Sequence, residues 1–409
     1  MNILLINHYA GSPRHGMEYR PYYLAREWVR MGHRVQIVAA AQSHVRTVQP
    51  HLVGRRMTEV IDGIHYLWYG VPGYIGNGIG RVRNMASFVF NLFVEGRNLA
   101  ETFKPDVVIA SSTYPMDIWP AHRIAKISGA KLIFELHDLW PLSPMELGGM
   151  SKWHPFIVLV RAAESYVYRH AAKVISILPN VRDYVESHGL QEGKLCCIPN
   201  GIDPAEWDSN QPASRTSALE LIDGLKSKGQ FVVGYAGSHG VANALDCFLD
   251  AAALMCNESV AFVLVGGGAE KAALQRRVHA ESLLNVWFLD PVEKAQIPLL
   301  VQCFDVAYIG FQKQPLYRFG ISPNKLMDYM MAACPILMAV EAGNDPVADA
   351  NCGITVKPED PQAIIDGLRQ LRALSSATRK EMGERGRAFI LQNHIYPVLG
   401  LRFLDACRP

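Results

Sequence analysis

The chain of 409 residues is too long for one ordinary core and fits two domains of roughly 200 residues each. A hydrophobic fraction of 49% excludes a largely disordered protein. Lysine plus arginine (40) nearly balance aspartate plus glutamate (38), which excludes the global basic field of a nucleic-acid binder, so any anion must be held locally.

The chain opens MNILLINHYAG, apolar but without a basic leading segment, and this is read as a first strand and not a signal peptide. No run reaches the ~18 apolar residues of a membrane span, and a cytoplasmic location is expected. The first strand leads into NHYAGSPRHGMEYRPYYLARE. Gly11 and Gly16 leave room for a ligand there, and a glycine-bearing strand-to-helix loop is a common phosphate cradle as well as a common connector. Further strands are predicted at RVQIVAA, IHYLWYG, PDVVIAS, KLIFELHD, KVISIL and LCCIP, with helical patterns over 18–31, 82–103 and 155–170 between them. His137 lies just past the strand KLIFE, where packing demands are weakest. It is a candidate to hydrogen-bond a sugar hydroxyl or phosphate oxygen, with a satisfied loop histidine as the plainer alternative.

After PNGID a polar segment, PAEWDSNQPASRTSALELIDGLKSKG, separates two strand series, and the domain junction is placed near residue 200. The second series is FVVGYAGS, VAFVLVGGG, VWFLD, DVAYIGF, PILMAV and GITVKP, and the chain reads as helical past Pro361. Continuously apolar strands alternating with helices predict parallel sheets covered on both faces, hence an α/β protein with two Rossmann-like doubly wound domains facing a central cleft. The domains expected are 1–200 and 201–385. Residues 386–409 are expected to form a helical segment returning to the first domain. The eight cysteines all follow residue 195 and form no C-x-x-C, so they are read as reduced, mostly buried small hydrophobes.

The loops of the second half carry the chemistry. Gly237 and Ser238 in GYAGSHG, and Gly266, Gly267 and Gly268 in VGGGAEKAAL, let backbone approach a bulky anion. Leu289 in VWFLDP offers strand-end backbone to the edge of a planar base. In FGISPNKLMDYM, Gly320 and Ile321 lead into a helix start with Ser322 as N-cap and Pro323 as first helical residue. Asn324 and Lys325 then fall in the first turn, where a cation is unfavourable unless an anion is bound. A diphosphate there would satisfy the open N–H groups and make Lys325 a favourable counter-charge. Asp328, one turn on, is positioned to accept hydrogen bonds from ribose hydroxyls.

On these motifs the chain resembles the family-four retaining glycosyltransferases of the GT-B fold over essentially its whole length. HGMEYRPYYLAREWVRMGHRV is similar to the family's Gly-Gly-x-Glu and Gly-His-x-Val segments, with His15 in place of the first glycine. ELHD supplies the family's His-Asp pair as His137–Asp138. DYMMAACP superposes Asp328 on the family's second, ribose-holding glutamate, whereas Tyr317 falls where the first glutamate is usual. The Arg and Lys that usually flank the glycine loop of the second domain have no clear equivalents, and Lys325 is expected to take over that charge. ELHDLWPLSPMELGGMSKWHPF with YRFGISPNKLMDYM is similar to L-fucosamine transferases of O-antigen and capsule pathways, which implies UDP-linked N-acetyl amino sugars as donors.

The resemblance implies retaining transfer from a UDP-sugar to an undecaprenyl-diphosphate-linked saccharide, without a metal ion or other cofactor and with no nucleic acid as partner. His137 and Lys325 are assigned to catalysis, and Glu18, Arg20 and Glu146 to the acceptor side. Basic-aromatic patterns in GIGRVRNMASFVFNLFVEGRNLAETF and KWHPFIVLVRAAESYVYRHAAK fit helices lying on the inner-membrane surface, or ordinary amphipathic helices packing on the first sheet. A nucleotide-sugar epimerase of the same fold and a non-catalytic two-lobed sugar-binding protein are the rival readings.

Overall fold

The computed structural model describes residues 1–76, 78–207 and 217–408. Residues 208–216 of the expected polar junction lie outside the described residues. The chain divides into two units, Met1–Asn200 with the terminal helix from Tyr396, and Gly201–Ile395.

The first unit is built on an eight-stranded sheet. Its strands are β1 (Asn2–Ile6), β2 (Arg34–Ala40), β3 (Arg56–Ile61), β4 (Ile64–Tyr69), β5 (Val107–Ala110), β6 (Lys131–Leu136), β7 (Lys173–Ser176) and β8 (Leu195–Cys197). They run in the order β3-β4-β2-β1-β5-β6-β7-β8. All neighbours are parallel except β3 and β4. The sequence reading missed β3 because RMTEVI is an edge strand with only Ile61 fully buried, so no apolar run marks it. The second unit holds β9 (Phe231–Ala236), β10 (Val260–Val265), β11 (Val286–Leu289), β12 (Val306–Gly310), β13 (Ile336–Ala339) and β14 (Gly353–Val356). Their order is β11-β10-β9-β12-β13-β14, parallel throughout.

The unbroken apolar character of the central strands has a direct cause. Successive side chains point to opposite faces, and both faces are covered. In the second unit Val232, Ala261, Val263 and Ile309 enter one core, while Val233, Phe262, Leu264 and Tyr308 enter the other. Both faces of the sheet are therefore dry, and the polar work is left to the loops at the strand ends.

The helical patterns over 82–103 and 155–170 form as Ile79–Phe103 and Pro155–His170, the former starting three residues earlier, and the pattern over 18–31 is realised as Arg20–Arg30. The tail differs from expectation. The helix Ser376–Asn393 belongs to the second unit, with Ile390 in its core, and the chain joins the first unit at Tyr396, not at 386. The helix Tyr396–Cys407 then packs on Arg20–Arg30: Tyr396 stacks on Tyr23 at 4.6 Å, and the Trp28 indole N–H donates to the Gly400 carbonyl at 3.1 Å.

Helix Ser376–Asn393 also sets the position of the helix Asn324–Met331 that carries Lys325. It crosses that helix's end at Gly383, where an added Cβ would overlap the Ala333 carbonyl. Alanine is the better helix former by about 1 kcal/mol, but a clash with backbone cannot be relieved by a side-chain rotation. Gly383→Ala is expected to destabilise the protein by ~1–3 kcal/mol, the usual scale of overpacking, read as a lower urea midpoint at unchanged slope; an equal or higher midpoint would contradict this packing.

Candidate active site

The second unit gathers its site at the carboxyl ends of β9, β10 and β12. Helix Asn324–Met331 is fastened there by Tyr329, whose hydroxyl donates to the Ala236 carbonyl at 3.0 Å and accepts from the Ala236 N–H at 2.8 Å. Lys325, one turn earlier on the same face, is thereby brought to the loop after β9. Its ammonium donates to the Tyr235 hydroxyl at 3.0 Å and to the Asn243 side-chain carbonyl, and it lies over the Tyr235 and Phe311 rings at 4.7 and 5.4 Å. Among the described residues no carboxylate pairs with it. Burial among these neutral partners lowers its pKa from the usual 10.5 to about 7.

The helix start itself differs from the sequence reading. Pro323, in extended conformation, occupies the N-cap position, the helix begins at Asn324, and no side chain caps it. Ser322 is therefore outside the helix and not its cap. The first-turn N–H groups of Asn324 and Lys325 are left for an external acceptor. Gly320 adopts φ +94°, which turns the chain into this start. Ile321 offers no free backbone, because Asn344 takes both its N–H, at 2.7 Å, and its carbonyl, at 3.1 Å. Asp328 makes no ion pair with Lys325 among the described residues; burial raises its carboxyl to about 7, with Lys294 opposing the shift and Glu206 adding to it.

The glycine loops serve each other more than an open space. An added Cβ at Gly266 would overlap the Gly237 carbonyl, and one at Gly268 would overlap the backbone of His239. Their φ values of +146° and +150° fit the same demand. The expectation that these glycines make room directly for a ligand is corrected accordingly: they let the 237–240 loop lie flat across the 266–268 loop. Gly237 donates its N–H to the Val265 carbonyl at 3.0 Å, so that amide is not available to an anion either. Ser238 turns its carbonyl to the Tyr235 hydroxyl at 2.6 Å and the Asn243 amide at 2.9 Å. Gly267 packs beside Pro291. Leu289 also departs from its assignment, its carbonyl already accepting from the Gly266 N–H at 3.2 Å and the Lys271 ammonium at 3.1 Å.

Sequence reasoning missed four contributors: Tyr235, Asn243, His239 and Lys271. His239 is fully buried, with neither ring nitrogen hydrogen-bonded among the described residues. Burial first, then Lys271 and Lys325, lower its pKa to about 4, so its ring is neutral near pH 7. The histidine stood in view within GYAGSHG, but its burial between two lysines depends on how the loops stack.

In the first unit His137 heads a buried network. Its Nε2 lies 3.0 Å from Ser111 Oγ and 3.3 Å from Glu135 Oε2. Ser111 donates to Glu135 at 2.6 Å, and Asn7 donates to the Ser111 carbonyl at 2.6 Å. Burial opposes ionisation of Glu135, but the Arg20 guanidinium at 2.9 Å and then His137 hold it well below the usual carboxylate range. Arg20, 1% exposed, spends its other nitrogens on the carbonyls of Ile198 and Pro199 at 2.8 and 2.6 Å. The acceptor-side assignment of Arg20 is therefore replaced by a positioning role. Asp138 likewise locks the next turn, accepting from the Leu139 N–H at 2.9 Å and from Ser143 at 2.5 Å.

Gly16 closes a tight turn against Ser12, its N–H donating to the Ser12 carbonyl at 2.8 Å, with φ +89° beside Thr47. His15, the departure from the family pattern, is buried there, 2.8 Å from Ser12 Oγ and 3.6 Å from Glu59 on the unexpected strand β3. Glu18 is half-buried and makes no ion pair among the described residues. Glu146 is exposed at the end of the helix Leu142–Glu146, on the side of Tyr184. No group of three or more His, Cys, Asp or Glu suited to a metal ion occurs among the described residues.

Two α/β units, one presenting a part-buried lysine without a carboxylate partner at a helix start that no side chain caps, define a two-domain α/β protein whose strand-end loops can hold a ligand. Residues 15–201 match the family described as Glycosyl transferase 4-like domain, and residues 230–373 match Glycosyl transferases group 1. The chain belongs to these glycosyltransferases, with the GT-B fold.

Among curated relatives it is 22% identical over 375 residues to the putative colanic acid biosynthesis glycosyl transferase WcaI of Escherichia coli, covering 88% of this chain and 90% of that one. It is also 22% identical over 330 residues to the probable glycosyltransferase WbjE of Pseudomonas aeruginosa, covering 78% and 79%. Sucrose-phosphate synthase from Thermosynechococcus elongatus superposes with a TM-score of 0.76 at 14% identity, over 99% of this chain and 98% of that one. Anabaena HepE in complex with UDP and glucose superposes with a TM-score of 0.68 at 16% identity, over the same shares.

The lowered pKa of Lys325 has a signed consequence. Below about pH 7 the free protein carries the charge, and above it the lysine must take up a proton when an anion binds. Diphosphate affinity is expected to fall between pH 7 and 9, approaching ~10-fold per pH unit, in calorimetric titrations with UDP. Lys325→Met is expected to flatten that dependence, and a flat wild-type profile would refute it.

Proposed function

We propose that this glycosyltransferase moves an N-acetylated amino sugar, such as L-FucNAc, from its UDP-linked donor to a hydroxyl of a lipid-linked saccharide in bacterial surface polysaccharide synthesis. The observation that carries the donor side is the ammonium of Lys325, buried among neutral groups beside two uncapped first-turn amides. Such a constellation is poorly satisfied without an anion and well matched to a diphosphate. A structural neighbour was crystallised with UDP and glucose. The pathway reading is supported by a curated relative named for colanic acid biosynthesis. The sugar rests on the resemblance of the ELHDLWP and YRFGISPNKLMDYM segments.

In this reading the bond from the anomeric carbon to the diphosphate oxygen breaks with its electron pair leaving on the diphosphate. The acceptor oxygen bonds to the same face of the anomeric carbon, and its proton passes to the departing diphosphate, which gives retention. Lys325 and the amides of Asn324 and Lys325 stabilise the growing negative charge, the role a metal ion plays elsewhere. Asp328 is assigned to the ribose. His137, held by Glu135 and Ser111, is assigned to a sugar or acceptor hydroxyl, with Glu18 and Glu146 as the acceptor-side carboxylates.

Lys325→Ala is expected to lower transfer at least ~100-fold, the scale of removing one preorganised donor. The assay is UDP release with a panel of UDP-sugars and a synthetic lipid-linked acceptor, with product anomer read by NMR. Near wild-type turnover by this variant, or an inverted product, would sink the proposal.

A further inference from the structure

The first unit carries an apolar groove of about 250 Å³ between the helices Ile79–Phe103 and Pro155–His170. Val82, Met85, Phe90, Trp119, Phe156 and Leu159 are among its walls. The stripe Val82, Ala86, Val89, Phe90 and Phe93 follows helical spacing yet faces outward. Phe90 is 66% exposed and Leu159 48%, and Trp153 beside the second helix is 76% exposed. An open slot walled by methionine and aromatic side chains is costly to leave to water and suits a flexible hydrocarbon.

Cations flank both ends, Arg123 donating to the Phe93 carbonyl at 3.0 Å, so the strand-end loops and not charge alone set the direction of an occupant. At the Val82 end stand Arg81 and Arg83. Arg83 is exposed and makes no ion pair among the described residues. Arg81 reaches the Tyr9 hydroxyl at 3.3 Å, in the loop that leaves β1 at its carboxyl end. Met116, another wall, belongs to the turn after β5, next to Asp117, whose carboxylate accepts from the Ser112 N–H at 3.2 Å, one residue from the Ser111 that meets His137. The groove thus runs from the outer helix surface toward the loops that bear the first unit's candidate residues, and Arg81 and Arg83 stand at the loop end.

We propose that this groove binds the hydrocarbon tail of the lipid-linked acceptor, with the anionic diphosphate at Arg81 and Arg83. The inference rests on the acceptor class proposed above. It places one lipid chain in the protein, as distinct from a helix face lying on a bilayer.

The test is calorimetric titration of the full chain with geranyl diphosphate below its aggregation concentration, and in parallel with inorganic pyrophosphate. Geranyl diphosphate is expected to bind at least ~10-fold more tightly, the contribution of the buried tail. Ala86→Trp, which fills the slot from an exposed position, and Phe90→Asp are expected to remove most of that advantage. Both are expected to leave the UDP-induced rise in melting temperature unchanged. Equal affinity for the two ligands, or tail binding unaltered in both variants, would overturn the proposal. So would association with phosphatidylglycerol vesicles but not with monomeric geranyl diphosphate, or a self-association that Phe90→Asp abolishes. Tail binding as expected with no effect of UDP on the melting temperature supports the groove and removes the donor-side reading.

Discussion

A single buried ammonium organises the second unit. Lys325 sits where helix dipole, burial and neighbouring chemistry all disfavour a cation, held only by a phenol, an amide oxygen and two aromatic faces. No carboxylate among the described residues neutralises it. The proposed diphosphate would supply the missing negative charge, and the adjoining first-turn amides would share it. Surrounding packing holds the lysine in place: Tyr329 ties the helix to the end of β9, and Gly383 lets another helix clamp its far end.

The glycine-rich loops change meaning in this setting. Their flexibility is used to stack one loop on another, so that Gly266 and Gly268 admit the backbone of Gly237 and His239. That stacking buries His239 and brings Asn243 round to Lys325. For the proposed diphosphate, side chains and the helix start are therefore the groups assigned to contact. The amides of Gly237 and the backbone of Ile321 and Leu289 are consumed in holding the loops.

The first unit shows a comparable division of labour. Arg20 and Glu135 form a buried pair whose full hydrogen-bonding makes their burial tolerable, and the pair in turn fixes Ser111 and His137. The histidine at the end of this chain is the member of the network nearest to solvent, with a side chain 13% exposed against none of Glu135. The apolar groove on the outer helices lies at the same strand ends and adds a hydrophobic component that the polar network lacks.

Periodicity and composition alone determined the two parallel sheets, because a strand dry on both faces must be apolar at every position, and that pattern is local. Lys325 was legible for a similar reason: a lysine in the first turn after Ser-Pro contradicts a local rule. The edge strand β3 was not, since half-exposed alternation over RMTEVI resembles a loop. Tertiary structure alone decided that Arg20 is buried beneath His137, that the glycines admit backbone, that His239 lies between two lysines, and that Pro323 displaces Ser322 as the cap. Each of these depends on which distant segments meet, and the free energy of such meetings is written in packing and desolvation, not in the spacing of residues along the chain.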